Sequence, residues 1–419
     1  ASGGTVFVNL NHTFTMKNCT ISKGKAPYVG GLMINSATGT TVNLENCTFS
    51  ENEGTRTSGG ACILKGNATV KNCTFLNNIA AADGSAIAAY SQTLIQDCSF
   101  ISNVSKGTTG GAVINYAAAT GSVNLMNCTF ESNSNMNATT GIGAFAIANS
   151  VANSTLTNCT FYKNSGITAG AILNNQGTLN IVNCTFAGNS TVSSNGGAFN
   201  NTSNANSKTT LVNSILTHNY NSAGLSDVSM GALGAINGAN NIVGVVSGSP
   251  TYTGSISFSY SPVSDLFASY TSSGNLMPIL ADNGGSTKTI ALSKTSIANG
   301  TGVSIYGTSN IVPTLDQIGN ARPTAPGIGA IEYVNDSKTG VFEHQSDDFA
   351  IYPNPATTEI YIKNVQLIQS VTLYDVLGRK TFETSSLNSG IMLQGIPAGI
   401  YLVKVKIQDR VVIQRLQIK

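Results

Sequence analysis

A seven-residue pattern, Asn-Cys-Thr-Phe-x-x-Asn, returns along the first half of the chain and restricts the fold more than any other feature. Its anchors are Cys19, Cys47, Cys73, Cys98, Cys128, Cys159 and Cys184, spaced 28, 26, 25, 30, 31 and 25 residues apart. Ser214 anchors a worn eighth copy, 30 residues further on. Two residues after the anchor stand Phe49, Phe75, Phe100, Phe130, Phe161 and Phe186. Five residues after it stand Asn52, Asn78, Asn103, Asn133, Asn164, Asn189 and Asn219, and only the first copy departs, with Gly24. Three residues before it the side chain is always apolar: Met16, Leu44, Val70, Ile95, Leu125, Leu156, Ile181 or Leu211. Between anchors a glycine element recurs, as in Gly30-Gly31-Leu32, Gly59-Gly60-Ala61 and Gly110-Gly111-Ala112.

Repeats of 20 to 50 residues call for a solenoid or a propeller. The unit is too short for a four-stranded blade of about 40 residues, lacks the leucine spacing of leucine-rich repeats, and contains no helical period. A parallel β-helix fits, with one repeat per coil and identical positions stacked about 4.8 Å apart. The unequal repeat lengths then belong to loops at one corner. In "TVNLENCTFSEN" Val42 and Leu44 share one parity, Cys47 and Phe49 the other. A bend near Asn46 resets the phase and turns all four inward. The phenylalanines are then expected to stack, and the corner asparagines to adopt left-handed backbone and bond to one another along the axis.

Regular cysteines also suggest disulfides or a metal. Zinc sites, however, pair cysteines two to four residues apart, often with histidines nearby. No Cys-x-x-Cys exists, and His12, His218 and His344 are scattered. Ladder neighbours about 4.8 Å apart exceed the roughly 3.8 Å Cβ separation of a disulfide. The cysteines therefore read as small buried hydrophobes, with Cys62 on a different face. No cofactor and no metal is expected. The Asn-x-Thr sequons read as architecture rather than as glycan acceptors.

From about residue 220 the repeat decays, and residues 220 to 335 read as further coils plus an end cap, which solenoids need. "YVNDSKTGVFEHQSDD" reads as a linker, placed at 336–348. Residues 349–419 show alternating runs such as "TEIYIKNV" and "GIYLVKVKIQDRVVIQRLQI", the pattern of a small antiparallel β-sandwich. The expected fold class is all-β: a parallel β-helix over 1–335, then this second domain.

The elements "GGA[IV]" and "FxxN" resemble the repeats of bacterial polymorphic outer-membrane adhesins and related right-handed β-helix proteins. "LADNGGSTKTIAL", "DQIGNARP" and "GIGAIE" resemble the β-helix regions of large secreted surface proteins. "YPNPATTEIYI", "VTLYDVLGRK" and "IPAGIYLVKV" closely resemble the type IX secretion sorting domain of Bacteroidetes. That likeness implies export across the outer membrane, recognition by the secretion machinery, removal of the sorting domain, and release or attachment to surface lipopolysaccharide. The residues carried over are Pro353, Asn354, Pro355, Asp375, Leu377, Gly378, Pro397, Gly399 and Tyr401, with a role in folding and recognition.

Charged residues make up only 10% of the chain and the formal net charge is +2, which provides no electrostatic attraction to nucleic acid. No apolar run is long enough to span a membrane as a helix. The chain opens on Ala1 without a signal peptide, as expected of a processed or excised piece. Three functions are compatible with these features. Adhesin-like binding of a glycan or a surface partner draws on the exposed Thr, Ser and Asn of a long solenoid. A polysaccharide lyase or glycosidase needs paired carboxylates, and the candidate acids are Glu45, Glu51, Glu53, Asp83, Asp97, Glu131 and Asp227, with no recurring pair on one coil. A structural stalk is the third.

Overall fold

The computed structural model describes residues 4–9, 12–35, 40–117, 121–147, 153–202, 204–231, 235–248, 251–253, 262–271, 276–306, 312–333, 350–363, 368–375, 378–385, 390–407 and 410–419. The chain divides into two units, Ala1–Val334 and Asn335–Lys419.

In the first unit each repeat makes one coil, and like positions pair in parallel along the axis. In the coil from Cys62, the strand Cys62–Leu64 leads to Asn67–Lys71, then Thr74–Leu76, then Ile79–Ala80. Each of these joins its own sheet; the first two sheets hold 10 strands and the last two hold 9. They are called here sheets I to IV, in that order. Register follows the anchor: Phe75 pairs with Phe49 and Phe100, and Val70 with Leu44 and Ile95. Asn18, Asn46, Asn72, Asp97, Asn127, Asn158, Asn183 and Asn213 all have φ between 48° and 54°. One left-handed residue between sheets II and III, tolerable for Asn and Asp, therefore resets the inward parity. Val42, Leu44, Cys47 and Phe49 are all buried in one core as a result.

At the next corner the left-handed residue is the one before the ladder asparagine. Glu51, Asn77, Ser102, Ser132, Lys163, Gly188 and His218 occupy it, with φ of 53° to 69°. The asparagines Asn52 to Asn219 supply hydrogen bonds there, not the unusual dihedral. Backbone also passes backbone closely at the glycine element: a Cβ on Gly60 would lie 2.2 Å from the Ser85 carbonyl oxygen. Sheet I is buried on both faces, because Met33, Ile63, Ala88, Ile114 and Leu173 point outward yet are covered.

Coils continue to the strands Val246–Gly248 and Thr251–Thr253. Among the described residues, 262–333 add no further coil. After a single helical turn, Val263–Leu266, they run along the flank of the solenoid as a strap over sheet III. The further coils expected after residue 220 thus reach residue 253, whereas the described residues 262–333, expected as coils plus a cap, lie along sheet III instead. The reason lies in the outward positions of sheet III, where the threonine column turns apolar at Ile215 and Ile242 and the next column carries Tyr162 and Ala187. Tyr162, Ala187, Ile215 and Ile242 form a cluster with Val263, Leu266, Phe267, Ile290 and Ile328 of the strap.

In the second unit the described residues form two antiparallel sheets. One contains Ala350–Tyr352, Glu359–Lys363 and Ile391–Met392; the other contains Lys380–Thr384, Ile368–Tyr374, Gly399–Ile407 and Arg410–Ile418. Ile351, Ile360 and Ile391 from the first share a core with Val371, Leu373, Val403 and Leu416 from the second. The expected linker, 336–348, lies outside the described residues.

Candidate functional site: ladders and an uncovered flank

Three internal columns run up the solenoid. The phenylalanines Phe49, Phe75, Phe100, Phe130, Phe161 and Phe186 stack with centroids 4.5–5.0 Å apart and interplanar angles of 2° to 10°. Beside them runs the asparagine ladder. The Oδ1 of each member accepts both the backbone N–H and the Nδ2 of the member one coil earlier, at 2.8–3.0 Å from Asn52 through Asn219. Each Nδ2 also reaches back to a carbonyl, as Asn78 does to Phe49 O at 2.9 Å. Buried amides that would be costly unpaired are thereby satisfied. At the near end Gly24 N donates to Asn52 Oδ1 at 3.0 Å. At the far end Asp227 Oδ1 takes the backbone N–H and Nδ2 of Asn219 at 2.9 and 2.8 Å. Burial raises the Asp227 carboxyl to about 6.

The cysteine column has a polar function as well as an apolar one. Cys47 N donates to Cys73 Sγ at 3.4 Å, Cys73 N to Cys98 Sγ at 3.3 Å, and Cys159 N to Cys184 Sγ at 3.4 Å. Each thiol in turn donates to the carbonyl two residues before it, as Cys98 does to Gln96 O at 3.1 Å and Cys128 to Met126 O at 3.2 Å. The thiol thus satisfies the amide left over at the left-handed corner. All eight cysteines are free; Cys19, in the first coil, is exposed, while Cys62 lies in the main core. Burial pushes the thiols of Cys62, Cys98, Cys128 and Cys159 well up. Among the described residues no group of His, Cys, Asp and Glu could hold a metal ion.

Outside, sheet III carries two polar columns whose binding role sequence reading did not reveal. One is the corner asparagine before each cysteine, the other the threonine after it. Under the strap both are engaged, and apart from the half-buried Asn240 the members named next are buried. Asn158, Asn183, Asn213 and Asn240 donate through Nδ2 to the carbonyls of Leu315, Gly327, Val303 and Thr301 at 2.7–3.1 Å. Thr129 Oγ1 donates to Lys288 O, Thr160 Oγ1 to Gln317 Oε1 at 2.6 Å, and Thr185 Oγ1 accepts from Ala330 N at 2.9 Å. Arg322, 2% exposed, pairs with Glu332 and reaches Asn158 Oδ1 at 2.9 Å. The only sequence signal for this surface is the recurrence of Asn and Thr on either side of Cys.

The candidate acids are engaged one by one. Glu45 pairs with Lys17 at 2.5 Å, Glu53 with Lys25 at 2.6 Å and Glu131 with Lys288 at 3.3 Å. Asp83 accepts from Thr109 N at 3.1 Å and from the Tyr116 hydroxyl, and Asp97 from Asn127 Nδ2 at 3.0 Å. Glu51 occupies a left-handed corner. Where the strap leaves sheet III, a pocket is lined by Ser99, Ile101, Thr129, Glu131, Asp282 and Lys288.

In the second unit the motif residues are engaged internally. Asn354 donates to Arg415 O at 2.8 Å and accepts from Gln417 N at 2.9 Å, between Pro353 and Pro355, which both follow cis bonds. Asp375 accepts from Arg379 N and Nε at 2.9 and 2.7 Å, across a turn in which Gly378 has φ 74°. Tyr401 is buried, with its hydroxyl donating to Pro397 O at 2.8 Å, and Gly399 opens its strand. Leu377 lies outside the described residues.

Comparison with known families adds two matches: the right-handed beta helix region over residues 4–186, and the secretion system C-terminal sorting domain over 350–419. No curated protein matches. Among the described residues no helix is long and apolar enough to cross a membrane. The sorting domain implies a Bacteroidetes origin, interaction with the type IX secretion machinery and export to the cell surface or the medium. The chain is a right-handed β-helix protein with a C-terminal type IX secretion sorting domain.

Proposed function

We propose that this protein is an adhesin-like binding module, delivered outside the cell to engage a glycan or the surface of a partner. The observation that carries the reading is the polar flank of sheet III, where columns of Asn and Thr side chains bond the strap in the later coils. In the first coils the same residue types are exposed or half-buried. After export the sorting domain is removed, and the solenoid is released or held on surface lipopolysaccharide. The individual engagement of Glu45, Glu53, Asp83, Asp97 and Asp227 supports binding over hydrolysis, since glycoside chemistry asks for two carboxyls facing one bond. A polysaccharide lyase or glycosidase reading has one feature in its favour, the pocket beside Glu131, Asp282 and Lys288. A structural stalk would use the solenoid without a ligand. Glycan arrays and cell-surface binding, run beside degradation assays on acidic polysaccharides, separate the three. Saturable binding without product is expected. Product formation would overturn the adhesin reading, and the absence of both signals would favour the stalk.

A further inference from the structure

The strap shows what the outer columns of sheet III bind. Its carbonyls are gripped by the corner amides of Asn158, Asn183, Asn213 and Asn240, and its backbone by Thr129 and Thr185. These are contacts to main chain, although the strap also offers side chains to the columns: Gln317 meets Thr129 and Thr160, and Arg322 meets Asn158. The same columns continue into the first coils, with Asp97 and Ser99 as the intervening rung, through Asn46 and Asn72 and through Thr48 and Thr74. There the exposure reverses: Asn18, Asn46 and Asn72 are exposed, whereas Asn158, Asn183 and Asn213 are buried. Asn46 Nδ2 donates to Asn18 Oδ1 at 3.0 Å, as Asn158 Nδ2 donates to Asn127 Oδ1 at 3.2 Å while also holding the strap. Within the described residues, no hydrogen bond engages the side-chain amide of Asn72 or the hydroxyls of Thr48 and Thr74. An apolar anchor is present too. Leu76 and Ile101, half-buried, occupy the column that holds Tyr162 and Ala187 beneath the strap.

We infer that the uncovered rungs of sheet III, around Asn46, Asn72, Thr48, Thr74 and Leu76, are a docking track for an extended polypeptide segment from a partner molecule, held through its main chain as the strap is. The inference rests on the binding-module reading and names its site and ligand class. A peptide is favoured over a sugar polymer for two reasons. The occupant already seated on this lattice is a polypeptide, and the half-buried aliphatic side chains of Leu76 and Ile101 beside the amide donors suit a chain that presents carbonyls and apolar side chains together.

The test uses the full chain with its own strap seated, so that only the first coils are open. A fluorescein-labelled peptide with the sequence of residues 312–331 is the probe, followed by anisotropy. Substitutions are chosen to leave the fold intact: Asn46→Gly and Asn72→Gly keep the left-handed backbone without the amide, and Thr48→Val and Thr74→Val keep the shape without the hydroxyl. Saturable binding that weakens at least tenfold in the quadruple variant, at an unchanged melting temperature, is the expected result. Peptide binding unaltered by the four substitutions, or no peptide binding at all, overturns the inference. So does an oligosaccharide panel whose binding, and not that of the peptide, the variant abolishes. If glycan-array or cell binding persists in the quadruple variant, adhesion stands and only this site falls. If the peptide binds as expected but neither cells nor glycans are bound, the adhesin reading falls instead.

Discussion

Replacing Cys98 separates two views of the thiol column. Cys98 is fully buried, accepts from Cys73 N at 3.3 Å and donates to Gln96 O at 3.1 Å. If the thiol mattered only as a small hydrophobe, Cys98→Val would fill the space and be the mildest change, and Cys98→Ser the worst of the small ones. The worn eighth copy predicts the reverse. There Ser214 Oγ accepts from Cys184 N at 3.1 Å and donates to Val212 O at 3.0 Å. Cys98→Ser therefore keeps both bonds and loses little beyond part of the sulfur's apolar contact, about 1 kcal/mol. Cys98→Ala strands the buried Cys73 amide, at about 1–3 kcal/mol, and leaves a void the size of a methyl group, about 1 kcal/mol more. Cys98→Val fills the void but strands the same amide and crowds a packed coil. Urea unfolding of the solenoid, with the midpoints of the three variants compared, should rank Ser above Ala and Val, with Ala about 2–4 kcal/mol below the native chain. An Ala or Val variant as stable as Ser would refute a hydrogen-bonding role for the column.

Asn133→Ala removes the acceptor for Asn103 N and Nδ2 and the donor to Phe100 O; with several buried groups stranded, a loss of roughly 4 kcal/mol is expected in the same unfolding assay. Asp227 titrates at about 6 in the folded chain, raised by burial. The native state therefore binds more protons than the unfolded state between about pH 4 and 6, so stability from this group is fully present below pH 4 and lost as pH rises through 6. A swing of roughly 3 kcal/mol follows from about two pKa units, and Asp227→Asn should flatten the melting-temperature profile in that window. Arg322→Met leaves the Glu332 carboxylate buried without its partner, which breaking a buried pair makes costly, about 3–5 kcal/mol. Limited proteolysis should then cut within 276–333 while the coils before residue 253 stay resistant; equal resistance of strap and coils would count against the strap as a separately held segment.

The sequence by itself determined the period, the parallel stacking and the residues that stack. A solenoid repeats its environment every coil, so Phe49, Cys47 and Asn52 each report the same site several times over, and pattern alone locates them. The sorting domain was legible for the related reason that its motif residues, such as Asn354 and Tyr401, serve the local fold. Two features required the tertiary structure. The first is the hydrogen bonding of the thiols, because a buried cysteine and a buried cysteine that accepts an amide look alike in sequence. The second is the path of residues 262–333. Nothing local in "DQIGNARP" or "GIGAIE" states that these segments return to the flank of coils more than a hundred residues earlier, since Gln317 meets Thr129 and Ala330 meets Thr185 only when the solenoid is built. Those contacts, set by which outward face of sheet III is apolar and which is bare, divide the molecule into a covered half and an open one.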